Sequence, residues 1–211
     1  MKVLIVASGS IKNDRCLIER YKWADLVIAA DGGAMHLLRA GLTPHIVLGD
    51  FDSVSSEDFK RISELDPEIV EYPAKKDYTD MELAINIAVE KGAREIVLFG
   101  ATGTRLDHTM ANVFLLYGLL QKGIKGCIED ENNIIYLVDD SITIKKQENW
   151  KVSLLSLPPC ADGLSTKGLL YPLKDFKLDF GVSLGVSNEF IEDTATITLK
   201  KGLLLVFVSK D

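Results

Sequence analysis

Up to about residue 130, short apolar runs alternate with helical periods; beyond it the helical period disappears. Residues 3–7, 26–30, 46–48 and 95–99 are apolar runs of strand length, and 68–72 reads as extended. Between them, 34–40, 56–65 and 106–120 carry helical spacing. The first is closed by Gly41 and followed by Pro44, the last is closed near Gly123. Thr79-Asp80-Met81-Glu82 is a capping box, and Leu83, Ala84, Ile87 and Ala88 after it form one apolar face that ends at Gly92. Strands that alternate with helices need crossover connections, so the expectation is α/β: a mostly parallel sheet with flanking helices. After residue 130 come β-type runs at 134–138, 141–145, 152–157, 195–199 and 203–208. Asp139-Asp140, Pro158-Pro159 and Lys201-Gly202 punctuate them, as in a smaller all-β sandwich or barrel. The chain is divided as 1–130 and 131–211.

A hydrophobic fraction of 47% supplies apolar residues for real cores and argues against disorder. With 31 acidic against 24 basic residues, the net charge of −7 argues against a general nucleic-acid binder. It leaves a nucleotide substrate open, because a bound cation reverses the local sign. Cys16, Cys127 and Cys160 are far apart and suit neither a disulfide framework nor a zinc site. Residues 1–7 are too short for a secretory leader, and Lys12, Asp14 and Arg15 follow closely, so a first strand is expected. No run is long enough for a membrane helix. A cytoplasmic protein with no membrane partner is the expectation.

Asp50 and Asp52 follow the apolar run 46–48 in Gly49-Asp50-Phe51-Asp52-Ser53. On extended chain their carboxylates project the same way, and like charges so placed need a cation between them. Mg²⁺ takes oxygen ligands and shares them with substrate phosphates, so the pair points to metal-assisted phosphate chemistry. Asp80 joins such a set if its helix start folds back onto the pair; otherwise it is a favourable acid on a helix N-terminus, and Asp77 a turn residue. Four polar clusters follow apolar strands: Ser8-Gly9-Ser10, Asp31-Gly32-Gly33, Gly49–Ser53, and the stretch 100–107 with Gly103, Thr104, Arg105 and Asp107. Each alone is an ordinary turn composition. Four in register match the ligand-binding edge of an open α/β sheet, where glycines admit an anion and helix N-termini attract it. Arg105 is a phosphate clamp or a surface partner of Asp107, and Asp107 is alternatively a helix cap. His36, His45 and His108 show no ligand spacing. Walker A, GxGxxG and nucleophile-elbow signatures are missing.

In order, Ala30-Asp31-Gly32-Gly33-Ala34, Gly49-Asp50-Phe51-Asp52-Ser53, Asp77-Tyr78-Thr79-Asp80-Met81-Glu82-Leu83 and Arg105-Leu106-Asp107-His108 resemble thiamine pyrophosphokinases. Ser165-Thr166-Lys167-Gly168-Leu169, Tyr171-Pro172-Leu173 and Ser187-Asn188-Glu189 extend the resemblance through the second part. It implies an α/β catalytic domain, a β-sandwich that binds thiamine, and a homodimer with active sites at its interface. It also implies transfer of the pyrophosphoryl group of ATP to thiamine, giving thiamine diphosphate and AMP. Carried over by motif, Asp50, Asp52 and Asp80 hold Mg²⁺; Asp77, Asp80, Arg105 and Asp107 are catalytic. Asp31, Gly32, Gly33, Gly103 and Arg105 meet ATP, while Thr166, Gly168, Ser187 and Asn188 meet thiamine. Thr104 and Lys75 depart from the family pattern, where a glycine and an acid are expected.

The implied chemistry is in-line attack by the alcohol on the β-phosphorus, with Asp107 or Asp80 as candidate proton acceptor. The alternatives are a pyrophosphokinase for another alcohol such as a pterin, a metal-dependent nucleotide-sugar transferase using Asp50 and Asp52, and a non-catalytic ligand sensor.

Overall fold

The computed structural model describes residues 1–51, 54–73 and 77–211, in two compact units, 1–131 and 132–211. In the first unit the chain runs β1 (Lys2–Val6), α1 (Asp14–Trp23), β2 (Leu26–Ala30), α2 (Gly33–Arg39) and β3 (Ile46–Gly49). It continues with α3 (Ser56–Ser63), β4 (Glu68–Glu71), α4 (Asp80–Glu90), β5 (Glu95–Phe99), α5 (Leu106–Gln121) and β6 (Lys125–Glu129). The strands are parallel, in the order β6-β5-β1-β2-β3-β4. A strand covered on both faces has no polar side to show, which is why the central ones read as unbroken apolar runs. Val3, Leu4, Ile5 and Val6 of β1 are each 0% exposed. Each such side chain stabilises the fold by about 1.5–3 kcal/mol through burial. The edge strand β4 carries Glu68 and Glu71 outward, as an edge that must not pair further does.

Strand order decides where a ligand goes. The chain builds outward from β1 through β4, then returns to the other side of β1 with β5 and β6. The topological switch point therefore lies between β1 and β5, and their carboxyl ends diverge into a crevice.

Local signals account for the helices. Thr79 caps α4, its hydroxyl accepting the Glu82 N–H at 3.2 Å. The buried face of α4 is Met81, Ala84, Ile85 and Ala88, turned from the expected one; Leu83 and Ile87 are only partly covered. Two elements of this unit had no strong sequence signal. Helix α1 buries only Leu17 fully, so its period is weak, and an Asn13 cap accepting the Arg15 N–H starts it. Strand β6 follows α5 after a three-residue turn and is half polar.

The second unit contains β7 (Asn133–Val138), β8 (Ser141–Lys145), β9 (Lys151–Ser156), β10 (Cys160–Lys167), β11 (Phe176–Asp179), β12 (Asn188–Glu189), β13 (Thr194–Thr198) and β14 (Leu204–Ser209). These form two antiparallel sets, β12-β9-β14-β7 and β11-β10-β13-β8, the two sheets of a sandwich. The turn at 139–140 passes the chain from one sheet to the other, and so do 157–159 and 199–203. Alternation holds along β9 and β13, where Val152, Leu154, Ala195 and Ile197 are buried between exposed or half-exposed neighbours. Strands β10 to β12 were not expected. A register shift at 161–164 breaks the alternation of β10, and β12 is two residues long.

Among the described residues, no helix is long and apolar enough to cross a membrane.

Candidate active site

A cavity of about 680 Å³ opens beyond the carboxyl ends of the first unit's strands, at the switch point. Ala7, Ser8 and Gly9 enter it from β1, Ala30 and Asp31 from β2, and Asp50 from β3. Residues 100–105 after β5 and the first turns of α4 and α5 complete the lining. Asp31, Asp50, Asp80, Gly103, Arg105 and Asp107 thus share one cavity, though they span more than 70 positions of the chain.

The loops after β1 and β5 are bound to each other. Gly9 N–H donates to the Gly100 carbonyl at 2.8 Å, and Ser10 N–H to the Thr102 carbonyl at 2.9 Å. A Cβ on Gly9 would stand 2.2 Å from the Thr102 carbonyl oxygen, so only glycine allows this approach. Gly103 N–H donates to Thr109 Oγ1 at 3.3 Å. The Gly9 N–H therefore joins loop to loop and the Gly103 N–H ties its loop to α5, where the sequence suggested that they face an anion. Gly32 and Gly33 are not among the residues that line the cavity. Gly33 begins α2 directly over β1, where a Cβ would lie 1.9 Å from the Val6 carbonyl oxygen.

Among the described residues that line the cavity, Arg105 and the N-terminal turn of α5 offer donors to an anion. Arg105 is the N-cap of α5 and offers no side-chain cap, so Asp107 is not the cap either. A 16-residue helix whose N-cap residue supplies no side-chain hydrogen bond brings the positive end of its dipole to the cavity. Arg105 forks onto Asp107, with Nη2 to Oδ2 at 2.6 Å and Nε to Oδ1 at 3.2 Å. That pairing holds the Asp107 carboxyl down to about 2 and raises Arg105 above its usual range.

On the acid side of the cavity the chain leaves extended geometry at Phe51, next to Asp50. Strand β3 stops at Gly49, and Phe51 has φ +55°, a left-handed conformation rare for a bulky residue. Its ring packs edge-on against Phe59 at 5.2 Å. The extended run on which the period-two argument rests therefore does not continue through Phe51. Asp31 also has φ +50°, with its N–H on the Leu48 carbonyl at 2.8 Å. Two left-handed non-glycine residues beside one cavity are the kind of strain that collects at functional sites. Asp52, Lys75 and Lys76 lie outside the described residues, and Asp77 does not line the cavity. Among the described residues, no three of His, Cys, Asp and Glu cluster closely enough to hold a metal ion.

Residues 18–128 match the model of the thiamin pyrophosphokinase catalytic domain, and 141–204 that of the thiamin pyrophosphokinase vitamin B1 binding domain. The chain belongs to the thiamin pyrophosphokinase family. The thiamine pyrophosphokinase of Bacillus subtilis is 34% identical over 216 residues, covering 100% of both chains. A crystal structure of thiamine pyrophosphokinase from the same organism superposes with a TM-score of 0.90 at 33% identity, again over 100% of both chains. That from Geobacillus thermodenitrificans gives 0.87 at 32% identity, over 100% of this chain and 98% of the other.

The second-unit residues singled out by their likeness to thiamin pyrophosphokinases fall in one corner of that unit. Asn188, 8% exposed, accepts the Tyr171 and Glu189 N–H groups on Oδ1 and donates from Nδ2 to the Tyr171 carbonyl at 2.8 Å. Thr166 Oγ1 accepts the Leu173 N–H at 2.8 Å. Gly168 accepts the Ile191 N–H at 3.0 Å, and Ser187, at φ +62°, donates its N–H to Ser153 Oγ. Thr166 and Asn188 therefore shape the 168–173 loop, which displays Leu170 and Tyr171.

Several side chains that brace the first unit's cavity were missed by sequence reasoning. Asn112 Nδ2 donates to the Ala101 carbonyl at 2.7 Å, and Thr102 Oγ1 to the buried Asp130 at 2.7 Å. His36 Nε2 meets the Gly9 carbonyl at 2.8 Å. Asn112 had a signal, a polar residue at helical spacing within the apolar run of α5. The others had none, since their partners come from distant strands.

Proposed function

We propose that this protein transfers the pyrophosphoryl group of ATP to the hydroxyl of thiamine, giving thiamine diphosphate and AMP. The observation that carries this reading is the joining of Asp31, Asp50, Asp80 and Arg105 in one cavity at the sheet's switch point, in a chain of this family. The triphosphate lies along the α5 N-terminus, where the helix dipole and the Arg105 fork meet its charge. The carboxylates present suit a hard cation with oxygen ligands, and Asp50, Asp52 and Asp80 would hold Mg²⁺. When bound, it neutralises charge on the leaving AMP and the migrating group. The thiamine hydroxyl oxygen bonds to the β-phosphorus as the bridge to the α-phosphate breaks; the bridging oxygen leaves with AMP, and the hydroxyl proton passes to solvent. Protein groups contribute positioning and charge, because this transfer needs little covalent help. Asp107 is a poor proton acceptor, since a carboxyl titrating near 2 has little affinity for a proton at neutral pH.

Thiamine is held by the second unit, with Thr166, Gly168, Ser187 and Asn188 at its site. The protein works as a homodimer in the cytoplasm. An uncovered stripe on α5 supports the dimer: Leu106, Met110, Phe114 and Tyr117 follow helical spacing and are 74%, 47%, 55% and 47% exposed.

Nucleotide product analysis tests the reaction. Purified protein with thiamine, ATP and Mg²⁺ is expected to release AMP in step with thiamine diphosphate. ADP as the nucleotide product, or a pterin alcohol preferred over thiamine, overturns the reading.

A further inference from the structure

His36 stands outside the cavity, yet it holds a loop that lines it. Its Nε2 is 2.8 Å from the Gly9 carbonyl oxygen, which can only accept, so Nε2 carries the proton. Its Nδ1 is buried and has no hydrogen-bond partner. The ring is therefore a donor through Nε2, with Nδ1 left without a hydrogen bond. Gly9 is clamped on every other side as well. Its N–H is on Gly100, and its α-carbon lies against the Thr102 carbonyl. The same helix reaches the next part of this loop through Arg39, which donates to the Ile11 carbonyl at 3.1 Å and pairs with Asp14 at 2.6 Å.

We propose that neutral His36 is a positioning residue for the nucleotide site: its Nε2–H fixes the Gly9 carbonyl, and with it the register of loop 8–10 against loop 100–103. This rests on the nucleotide reading of the cavity above. Protonation at Nδ1 would place a charge in a partly buried site. The Nε2–H bond to Gly9 survives it, so the ring keeps its donor in either state. Burial lowers the ring's affinity for a proton most; the backbone hydrogen bonds to Gly9 and Ser8 raise it, Arg39 on its own helix lowers it and Asp14 of α1 raises it, and the net is a lowered value. The sign follows. A histidine favoured neutral in the fold supports it fully above its unfolded value of 6.5, and that support is lost as pH falls below it.

The test compares His36→Gln, whose side-chain amide keeps a donor at the Nε2 position but does not titrate, with His36→Leu, which removes the donor. At pH 7.5, His36→Leu is expected to raise the KM for ATP about three- to tenfold with the KM for thiamine unchanged, and His36→Gln to stay near wild type. Below pH 6.5 the wild-type KM for ATP is expected to follow that of His36→Gln, since both keep the donor to Gly9. An unchanged KM for ATP in His36→Leu, or a KM raised as far in His36→Gln as in His36→Leu, overturns the proposal. Imidazole NMR of the wild type gives a readout independent of turnover, expected to show the Nε2–H tautomer and a midpoint below 6.5. An Nδ1–H tautomer overturns the proposal even in a protein that makes AMP. A protein that makes no AMP sinks the reaction, and the imidazole result then judges His36 alone.

Discussion

Arg105 and Asp107, two residues apart, close into a forked ion pair at the mouth of the first unit's cavity, with Nη2 2.6 Å from Oδ2. The nearest intramolecular acceptor for the phosphate-clamp candidate is thus a carboxylate of the same turn. A triphosphate arriving there competes with Asp107 for the same donors, or shares them, and the guanidinium is held aimed until it does. Arg105→Lys keeps the charge but loses the fork. It is expected to raise the KM for ATP roughly tenfold or more, close to the effect of Arg105→Ala. Steady-state kinetics at fixed thiamine check this, and a lysine variant with wild-type KM removes Arg105 from the nucleotide site.

Asp107 makes a separate prediction through its acidity. Its folded pKa is depressed to about 2, so the paired form is present above the usual carboxylate range and is lost only as pH falls toward that value. No inflection near neutrality belongs to it. The pH profile of kcat/KM for Asp107→Asn is expected to keep the wild-type shape at reduced height. Loss of an acid-limb inflection in that variant shows that Asp107 titrates in the working range.

Asp50, Asp52 and Asp80 are predicted to share a cation. Replacing any one by Asn is expected to lower kcat by about a hundredfold or more, with circular dichroism and melting close to wild type. Asp80 also sits in the first turn of α4, so its replacement costs about 0.3–1 kcal/mol of helix stability as well. Near-normal turnover in any single variant takes that residue out of the metal set.

The α5 stripe predicts assembly. Phe114→Glu places a charge at the centre of the exposed apolar row and is expected to convert a dimer into monomers, read by light scattering. A wild-type protein that already runs as a monomer at micromolar concentration rules the stripe out as a self-association surface.

Gly33 predicts a purely packing effect. Its α-carbon passes so close to the Val6 carbonyl that Gly33→Ala must displace α2 from β1. Urea denaturation is expected to show a loss of about 1–3 kcal/mol. An unaffected midpoint shows that α2 shifts freely.

The parallel half was legible because its signals are local. Fully covered strands are apolar throughout, helices carry caps and periods, and both follow from a residue's nearest neighbours along the chain. Strands β1 to β3 and β5, and helices α2 to α5, were identified on that ground. Helix α1 and strands β6 and β10 to β12 were not, because a charged helix and short or bulged strands are defined by the partners they meet. The Asp-Gly and Arg-x-Asp motifs located Asp31, Asp50, Asp80, Gly103, Arg105 and Asp107, which a single cavity receives. The motifs did not show that Gly9 directs its N–H to the Gly100 carbonyl and Gly103 its own to Thr109, nor that Phe51 turns left-handed.

Sequence alone determined the class of each half and the acidic, glycine-rich character of the candidate site, since propensity, capping and charge are written residue by residue. Tertiary structure decided the switch point between β1 and β5, the Arg105–Asp107 pair and the His36 bond to Gly9. The loops after β1 and β5 are some ninety residues apart. No local rule brings them together; it takes parallel pairing of β1 with β5 to set them side by side and let each fill the other's hydrogen bonds.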